Sequence, residues 1–365
     1  MDPMIDLATI ATPAVLVDRA KLAANIRAMQ ATCDAHGVEL RPHIKTHKMV
    51  AVARQQLAAG ARGLTCAKLG EAEAILPSGV RSIFVAHSLV DPGQAPRLAA
   101  LTEQLDDFRL ALTSEEHLEP LARLAGATGR TLDVMMALDT GLGREGVRDA
   151  ASADRLAARL AQTAQLNLRG FYTHEGFFYG LSAEQQPSRA RELIERLCAV
   201  RDAIDPALPI WPGCSVSARL IAGVSAGRVQ AVRPGAYVFG DIYLAEITGT
   251  MTAAAVALQV LATVVDRPEP GLVLIDAGSK TFSSDRTPDG RHAIAADGRD
   301  LTVVRVNEEH GYVRGTAVEQ LRLGERIAFT PAHVCPVVNL TDEVVVTDGE
   351  RVVDAWRVEA RGRTQ

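Results

Sequence analysis

The chain has no apolar run approaching the ~18–20 residues that cross a bilayer, which sets aside a membrane-spanning protein. Positive charge is not in excess. There are 39 Lys and Arg against 44 Asp and Glu, a formal net charge of −5, and nothing in that balance calls for nucleic acid or an anionic membrane. Met1-Asp2-Pro3-Met4-Ile5-Asp6 lacks the basic n-region of a secretory signal. The five cysteines, Cys33, Cys66, Cys198, Cys214 and Cys335, lack the even count of a disulfide framework. A cytoplasmic protein is expected. No Gly-x-Gly-x-x-Gly follows the first apolar run, which counts against a dinucleotide-binding open sheet. What is present is 365 residues, 47% hydrophobic and 23% charged, ample for a buried core and for two domains.

Short apolar runs alternate with amphipathic segments through the first two thirds. The runs are Ala14–Asp18, Val38–Lys45, Gly63–Ala67, Ser82–Ala86, Phe108–Thr113, Leu132–Asp139, Asn167–Thr173 and Val229–Arg233. The segments between them, among them Arg19–Ala35 and Ser152–Thr163, space apolar residues by three and four, as helices do. Strand then helix, repeated about eight times, is the rhythm of a (β/α)8 TIM-type barrel within the α/β class. After about residue 245 the runs become β-rich and are punctuated by Asp297-Gly298 and Asp348-Gly349. The expected division is a barrel over 13–245 and an all-β domain over 246–365, joined by residues 1–12.

Several segments can carry chemistry. In Arg41-Pro42-His43-Ile44-Lys45-Thr46-His47-Lys48, Lys45 follows an apolar run, near the strand end that forms the catalytic face of such barrels. Apolar walls disfavour a charged amine and make it nucleophilic, as a Schiff base to an aldehyde cofactor requires. The alternative is a basic surface loop, to which Lys48 alone is suited. In Pro331-Ala332-His333-Val334-Cys335-Pro336, His and Cys two apart in an extended segment share one side and can hold one metal. N plus S ligation favours zinc, with open positions for water or substrate. A buried His beside a core Cys is the plainer alternative.

Asp139-Thr140-Gly141-Leu142-Gly143-Arg144 allows a tight turn that brings Arg144 over a ligand, or is an ordinary loop. His174, at the end of Asn167–Thr173, suits titration near neutrality and contact with a cofactor, or a satisfied structural role. Ser215 in Gly213-Cys214-Ser215-Val216-Ser217, and Gly235 and Tyr237 in Val232-Arg233-Pro234-Gly235-Ala236-Tyr237, lie late in the barrel, where phosphate sites are frequent.

Taken together and in order, these motifs resemble the pyridoxal-phosphate enzymes with an alanine-racemase-type barrel, in the fold-type III branch that holds D-threonine aldolase and metal-dependent D-serine dehydratase. The resemblance runs from Thr12-Pro13-Ala14-Val15-Leu16-Val17-Asp18 to Pro336-Val337-Val338-Asn339-Leu340. It is carried by Arg41-Pro42-His43, Lys45-Thr46-His47-Lys48, Asp276-Ala277-Gly278-Ser279-Lys280, Glu309-His310-Gly311 and His333-Val334-Cys335-Pro336. It implies that Lys45 carries pyridoxal 5'-phosphate as a Schiff base and acts in catalysis. It implies that Arg144 lies beside the ring and its phenolic oxygen, that Ser215, Gly235 and Tyr237 belong to the phosphate cup, and that His333 and Cys335 hold a divalent metal. Zinc is favoured, with manganese or magnesium as alternatives, and a homodimer is expected. Many relatives read Gly-Ser-Thr-Pro where this chain has Gly213-Cys214-Ser215-Val216-Ser217.

A β-hydroxy-D-amino acid on such a site has two fates. Loss of the Cα proton with departure of hydroxide gives a keto acid and ammonia, with Lys45 as the base. Deprotonation of the hydroxyl with Cα–Cβ cleavage gives glycine and an aldehyde, with His174 or a metal-bound water as the base. The His-x-Cys pair favours a D-serine or 3-hydroxy-D-aspartate dehydratase over a D-threonine or 3-hydroxy-D-aspartate aldolase. An amino-acid racemase or a non-catalytic cofactor carrier needs no metal pair.

Overall fold

A computed structural model describes residues 5–365. The chain divides into two compact units. One holds Arg27–Lys45, Val50–Gly235 and Arg363–Gln365, and the other holds Thr46–Met49, Ala236–Gly362 and the segment ending at Ile26.

The first unit is α/β. Leu64–Cys66, Ser82–Val85, Asp107–Leu112, Leu132–Ala137, Leu166–Thr173 and Ile210–Pro212 form one parallel ladder in that order. Glu39–Leu40 and Ala231–Val232 pair in parallel as a separate ladder. A few backbone bonds outside the ladders link the two, Arg62 N–H to the Leu40 carbonyl at 3.0 Å, Ile44 N–H to the Thr65 carbonyl at 2.9 Å and Thr65 N–H to the Pro42 carbonyl at 2.8 Å on one side, and Gln230 N–H to the Ile210 carbonyl at 3.2 Å and Arg233 N–H to the Pro212 carbonyl at 3.0 Å on the other. The sheet is thus curled and interrupted rather than one continuous eight-stranded ladder. The interruptions fall at Pro42, Pro212 and Pro234, which have no N–H to give to a ladder.

Local sequence explains the helices between the strands. Ala150–Leu160 buries Ala153, Leu156 and Leu160 along one face. It starts at a capping box in which Asp149 accepts the Ser152 N–H at 2.7 Å. Leu118–Thr128 buries Leu118, Leu121, Leu124 and Ala125 and stops at Gly129 in the left-handed region. Inside the sheet Phe84, Tyr172 and Trp211 pack with Ala111, Ala137 and Ala231, large against small. Phe84 meets Tyr172 edge-on at 4.9 Å, and burying a ring such as that of Phe84 contributes roughly 1.5–3 kcal/mol. Arg41 and Arg109 lie over Trp211 at 4.3 and 4.5 Å.

The second unit is built on an antiparallel sheet. Arg326–Pro331 pairs with both Ala293–Ala295 and Leu258–Glu269, which closes part of that sheet into a barrel. Ala14–Asp18, expected as the first strand of the α/β barrel, lies here instead. It pairs with Leu258–Glu269 and, in parallel, with Glu343–Asp348. Its central residues are buried between two neighbouring strands, and such a run reads alike in either kind of sheet. The parallel strand that the sequence pattern did not show is Ile210–Pro212, three residues long. Among the described residues no helix is long and apolar enough to cross a membrane.

Candidate active site

In the α/β unit, candidate residues gather at the ends of the parallel strands. Lys45 sits in the turn after Glu39–Leu40, and its backbone N–H points to His43 Nδ1 at 3.4 Å. Its amine has no carboxylate or hydrogen-bond partner among the described residues, although the side chain is half-buried. His43 is buried, and its pKa lies well below the ordinary value because of that burial, with the charges of Lys45, Arg233, His174 and Arg144 acting in the same direction.

His174 follows the strand Leu166–Thr173 and donates Nδ1–H to the Gly213 carbonyl at 2.5 Å, leaving Nε2 as an acceptor. It does not titrate near neutrality. Burial first, then the Lys45 charge, push it down to about 3 against the opposing pull of the Gly213 carbonyl. The ring is therefore neutral at physiological pH, a positioned acceptor and a weak base.

The neighbouring loop is braced from below. Glu175, fully buried, accepts the Gly213 N–H at 3.0 Å and the Ser217 hydroxyl at 2.7 Å, and burial raises its pKa. Arg233 is buried too, donating Nε–H to the Trp211 carbonyl at 3.1 Å and Nη2–H to the Thr173 carbonyl at 2.7 Å. Burial lowers its pKa to about 10. A Cβ at position 213 would stand 2.5 Å from Arg233 Nη2, so this close approach requires glycine. Ser215 Oγ accepts the Gly235 N–H at 3.0 Å, which brings two of the expected phosphate residues together. Cys214 is a buried thiol whose pKa is pushed up to about 12 by burial and the Glu175 charge, so it stays protonated.

Asp139 shapes the loop that carries Arg144. Its Oδ1 accepts the N–H groups of Gly141, Leu142 and Gly143 at 3.0, 3.0 and 3.1 Å. Arg144 is exposed and stands 3.5 Å from Glu145. A recess there is lined by Leu138, Arg144, Glu145, Tyr172 and His174. The Tyr172 hydroxyl is buried without a hydrogen-bond partner among the described residues, an unpaired polar group that a ligand would satisfy. An unpaired amine, an orphaned phenol, and hydroxyl and glycine N–H groups at strand ends form a set that fits an aromatic aldehyde bearing a phosphate and a phenolic oxygen.

In the antiparallel unit His333 is extended, at φ −140° and ψ 116°, and caps the helix Val334–Leu340. Cys335 therefore lies in a helical first turn, not two places along a strand as expected. Pro336 permits this, since the N–H it lacks is one that the first turn leaves unpaired. His333 Nδ1 lies 2.7 Å from Asp285 Oδ2, and Cys335 Sγ lies 3.2 Å from Thr46 Oγ1. Burial opposes protonation of His333, but Cys335, then Asp285 and Asp241, raise its pKa to about 10. No cluster of three or more His, Cys, Asp or Glu suited to a metal occurs among the described residues. An imidazole and a thiol side by side still fit a zinc ion with open coordination positions. Tyr237 is buried in the turn Ala236–Val238 of this unit. Lys48, suited by sequence to a surface loop, is instead buried with φ 53°, its amine donating to the Ala360 carbonyl at 3.3 Å.

Sequence reasoning gave no role to Tyr172, Glu175, Arg233 or Asp285. Tyr172 and Arg233 stand within the segments Asn167–Thr173 and Val232–Tyr237 and Glu175 directly follows His174, but their burial is a tertiary property. Asp285 lies in a polar, turn-rich stretch with no signal of its own.

Residues 17–242 match the family described as "Alanine racemase, N-terminal domain", and residues 257–347 match the "Putative serine dehydratase domain". D-threonine aldolase of Arthrobacter sp is 32% identical over 364 residues, covering 98% of this chain and 94% of that protein. D-threo-3-hydroxyaspartate dehydratase of Delftia sp. (strain HT23) is 32% identical over 353 residues, covering 90% of this chain and 92% of that protein. The crystal structure of D-threonine aldolase from Filomicrobium marinum superposes with a TM-score of 0.89 at 27% identity, covering 100% of this chain and 99% of that one. The fold is thus of the alanine-racemase kind, an α/β sheet followed by an antiparallel β-barrel. The chain belongs to the fold-type III pyridoxal-phosphate family that joins an alanine racemase N-terminal domain to a D-serine dehydratase domain.

Proposed function

We propose that this chain is a pyridoxal-phosphate- and divalent-metal-dependent lyase that dehydrates β-hydroxy-D-amino acids of the D-serine or 3-hydroxy-D-aspartate type to a keto acid and ammonia. The observation that carries the choice is Cys335 beside His333, a donor set suited to zinc. When bound, the cofactor supplies an electron sink that acidifies the bonds at Cα, and the metal supplies a Lewis acid for the β-hydroxyl.

The chain's own residues divide the remaining work. Lys45 would hold the cofactor through its amine and would serve as the base for the Cα proton. Its unpaired state in the α/β unit suits that dual use. His174, neutral and fixed by the Gly213 carbonyl, offers Nε2 as an acceptor without exchanging a proton near pH 7. Arg144 would contribute positive charge to the cofactor's phenolic oxygen, and Tyr172 lines the same recess with its hydroxyl. Ser215, Gly235 and Tyr237 serve the phosphate. His333 and Cys335 hold the metal.

An aldolase reading is favoured by the 32% identity to one D-threonine aldolase over 98% of this chain and by the TM-score of 0.89 to the structure of another. The low pKa of His174 makes that ring a weak base for the hydroxyl proton, which would leave the metal-bound water as the base in that route. The test is product analysis on zinc-loaded protein given D-serine, D-threonine and 3-hydroxy-D-aspartate in parallel. Keto acid and ammonia are expected. Glycine and an aldehyde would overturn the dehydratase reading.

A further inference from the structure

We propose that Asp285 is the positioning residue that fixes His333 for the metal, and that the loop from Ser283 to His292 is built to hold its carboxylate there. The inference rests on the reading of His333 and Cys335 as the metal pair. The Asp285 carboxylate takes the His333 Nδ1–H at 2.7 Å across 48 residues of sequence. An imidazole that donates Nδ1–H to a carboxylate is held in one tautomer and one orientation, with the Nε2 lone pair left for a cation.

Such a contact between two partly exposed side chains is often worth little. The loop around it indicates otherwise. The Asp285 N–H donates to Ser283 Oγ at 3.0 Å, and the His292 ring donates Nδ1–H to the Asp285 carbonyl at 3.0 Å. One residue on, the Arg286 carbonyl accepts the Tyr243 hydroxyl at 3.2 Å. The loop closes on itself through the Thr287 N–H to the Arg291 carbonyl at 2.9 Å. Ser283, buried and not glycine, adopts φ 69° at its entrance, a left-handed backbone that surrounding contacts must sustain. Both backbone polar groups of Asp285 are thereby fixed, so its side chain starts from one place. A surface loop with no further task has no need of a buried His strut and a left-handed serine.

The experiment is a zinc titration of the cofactor-containing protein against a chromophoric chelator, on wild type, Asp285→Ala, Asp285→Asn and His292→Phe. Asp285→Ala is expected to weaken zinc binding about 10–100-fold, the usual consequence of losing an outer-shell partner. Asp285→Asn should weaken it less, because its amide oxygen still accepts the Nδ1–H. His292→Phe should weaken it in the same direction from a distance. Cofactor absorbance should not move, and the zinc affinity is compared only among variants whose metal-free form unfolds cooperatively. Should Asp285→Ala not fold, the other two variants carry the test. Wild-type zinc affinity in the folded Asp285 variants would overturn the positioning role. Failure of the wild type to bind zinc would overturn the metal reading itself, and the inference with it.

Discussion

In the α/β unit His174 is driven down to about 3, whereas in the antiparallel unit His333 rises to about 10. Burial works against the charged form in both, so the difference comes from the neighbours. Around His43 and His174 stand Lys45, Arg144 and Arg233, and the buried carboxylate nearby, Glu175, is itself pushed toward its neutral form. Around His333 stand a thiol and two carboxylates, Cys335, Asp285 and Asp241. Positive charge dominates the first environment; in the second, burial also pushes Asp241 toward its neutral form, so Cys335 and Asp285 carry the contrast. The contrast suits the proposal that a phosphorylated aldehyde is held by residues of one unit and a divalent metal by residues of the other.

The comparison can be broken most drastically at Lys45. Lys45→Ala should abolish both turnover and the absorbance of protein-linked cofactor, while zinc content stays at the wild-type level. Persistence of that absorbance would remove the lysine from its role. Next in size is Cys335→Ala, which should lose zinc by more than the roughly 10–100-fold of an outer-shell change and lose activity, yet keep the cofactor spectrum. Metal analysis and absorbance on one sample decide it.

A smaller effect is expected at Gly213→Ala. Its new Cβ would meet Arg233 at 2.5 Å, an overpacking that costs about 1–3 kcal/mol and should appear as a lower unfolding temperature. Unchanged unfolding would show that the guanidinium gives way. The smallest effect is a slope. His174 takes up its proton near 6.5 when unfolded but only near 3 when folded. Between those values the unfolded state binds more protons, so stability falls as pH drops through the window. His174→Gln should make denaturant-measured stability less steep there, by up to about 1.4 kcal/mol per pH unit. An unaltered slope would mean that the folded protein protonates this histidine as readily as the unfolded chain does.

How far the sequence discloses the molecule differs between elements. The α/β alternation shows through because helices such as Ala150–Leu160 bury one face and strands such as Leu132–Ala137 are almost wholly buried. The sheet that each strand joins is less visible. Ala14–Asp18 and the parallel strands share one apolar pattern, and only the neighbours they find in three dimensions separate them. Ile210–Pro212 is too short for periodicity to show. At the site, Lys45, His333 and Cys335 stand in compact motifs of unusual residue types. Asp285 reaches His333 only through a loop whose residues look like ordinary turn chemistry, and Arg41, within the most distinctive motif, packs over Trp211 and pairs with Glu39 at 2.9 Å. A motif therefore marks a region, and the contacts decide which of its residues face chemistry and which face the core.

The most direct test of this division of labour is to strip the purified protein with a chelator and follow turnover and cofactor absorbance together. The account predicts that formation of keto acid and ammonia from a β-hydroxy-D-amino acid stops while the cofactor absorbance remains, and that zinc restores turnover. Undiminished turnover after complete removal of metal would contradict it.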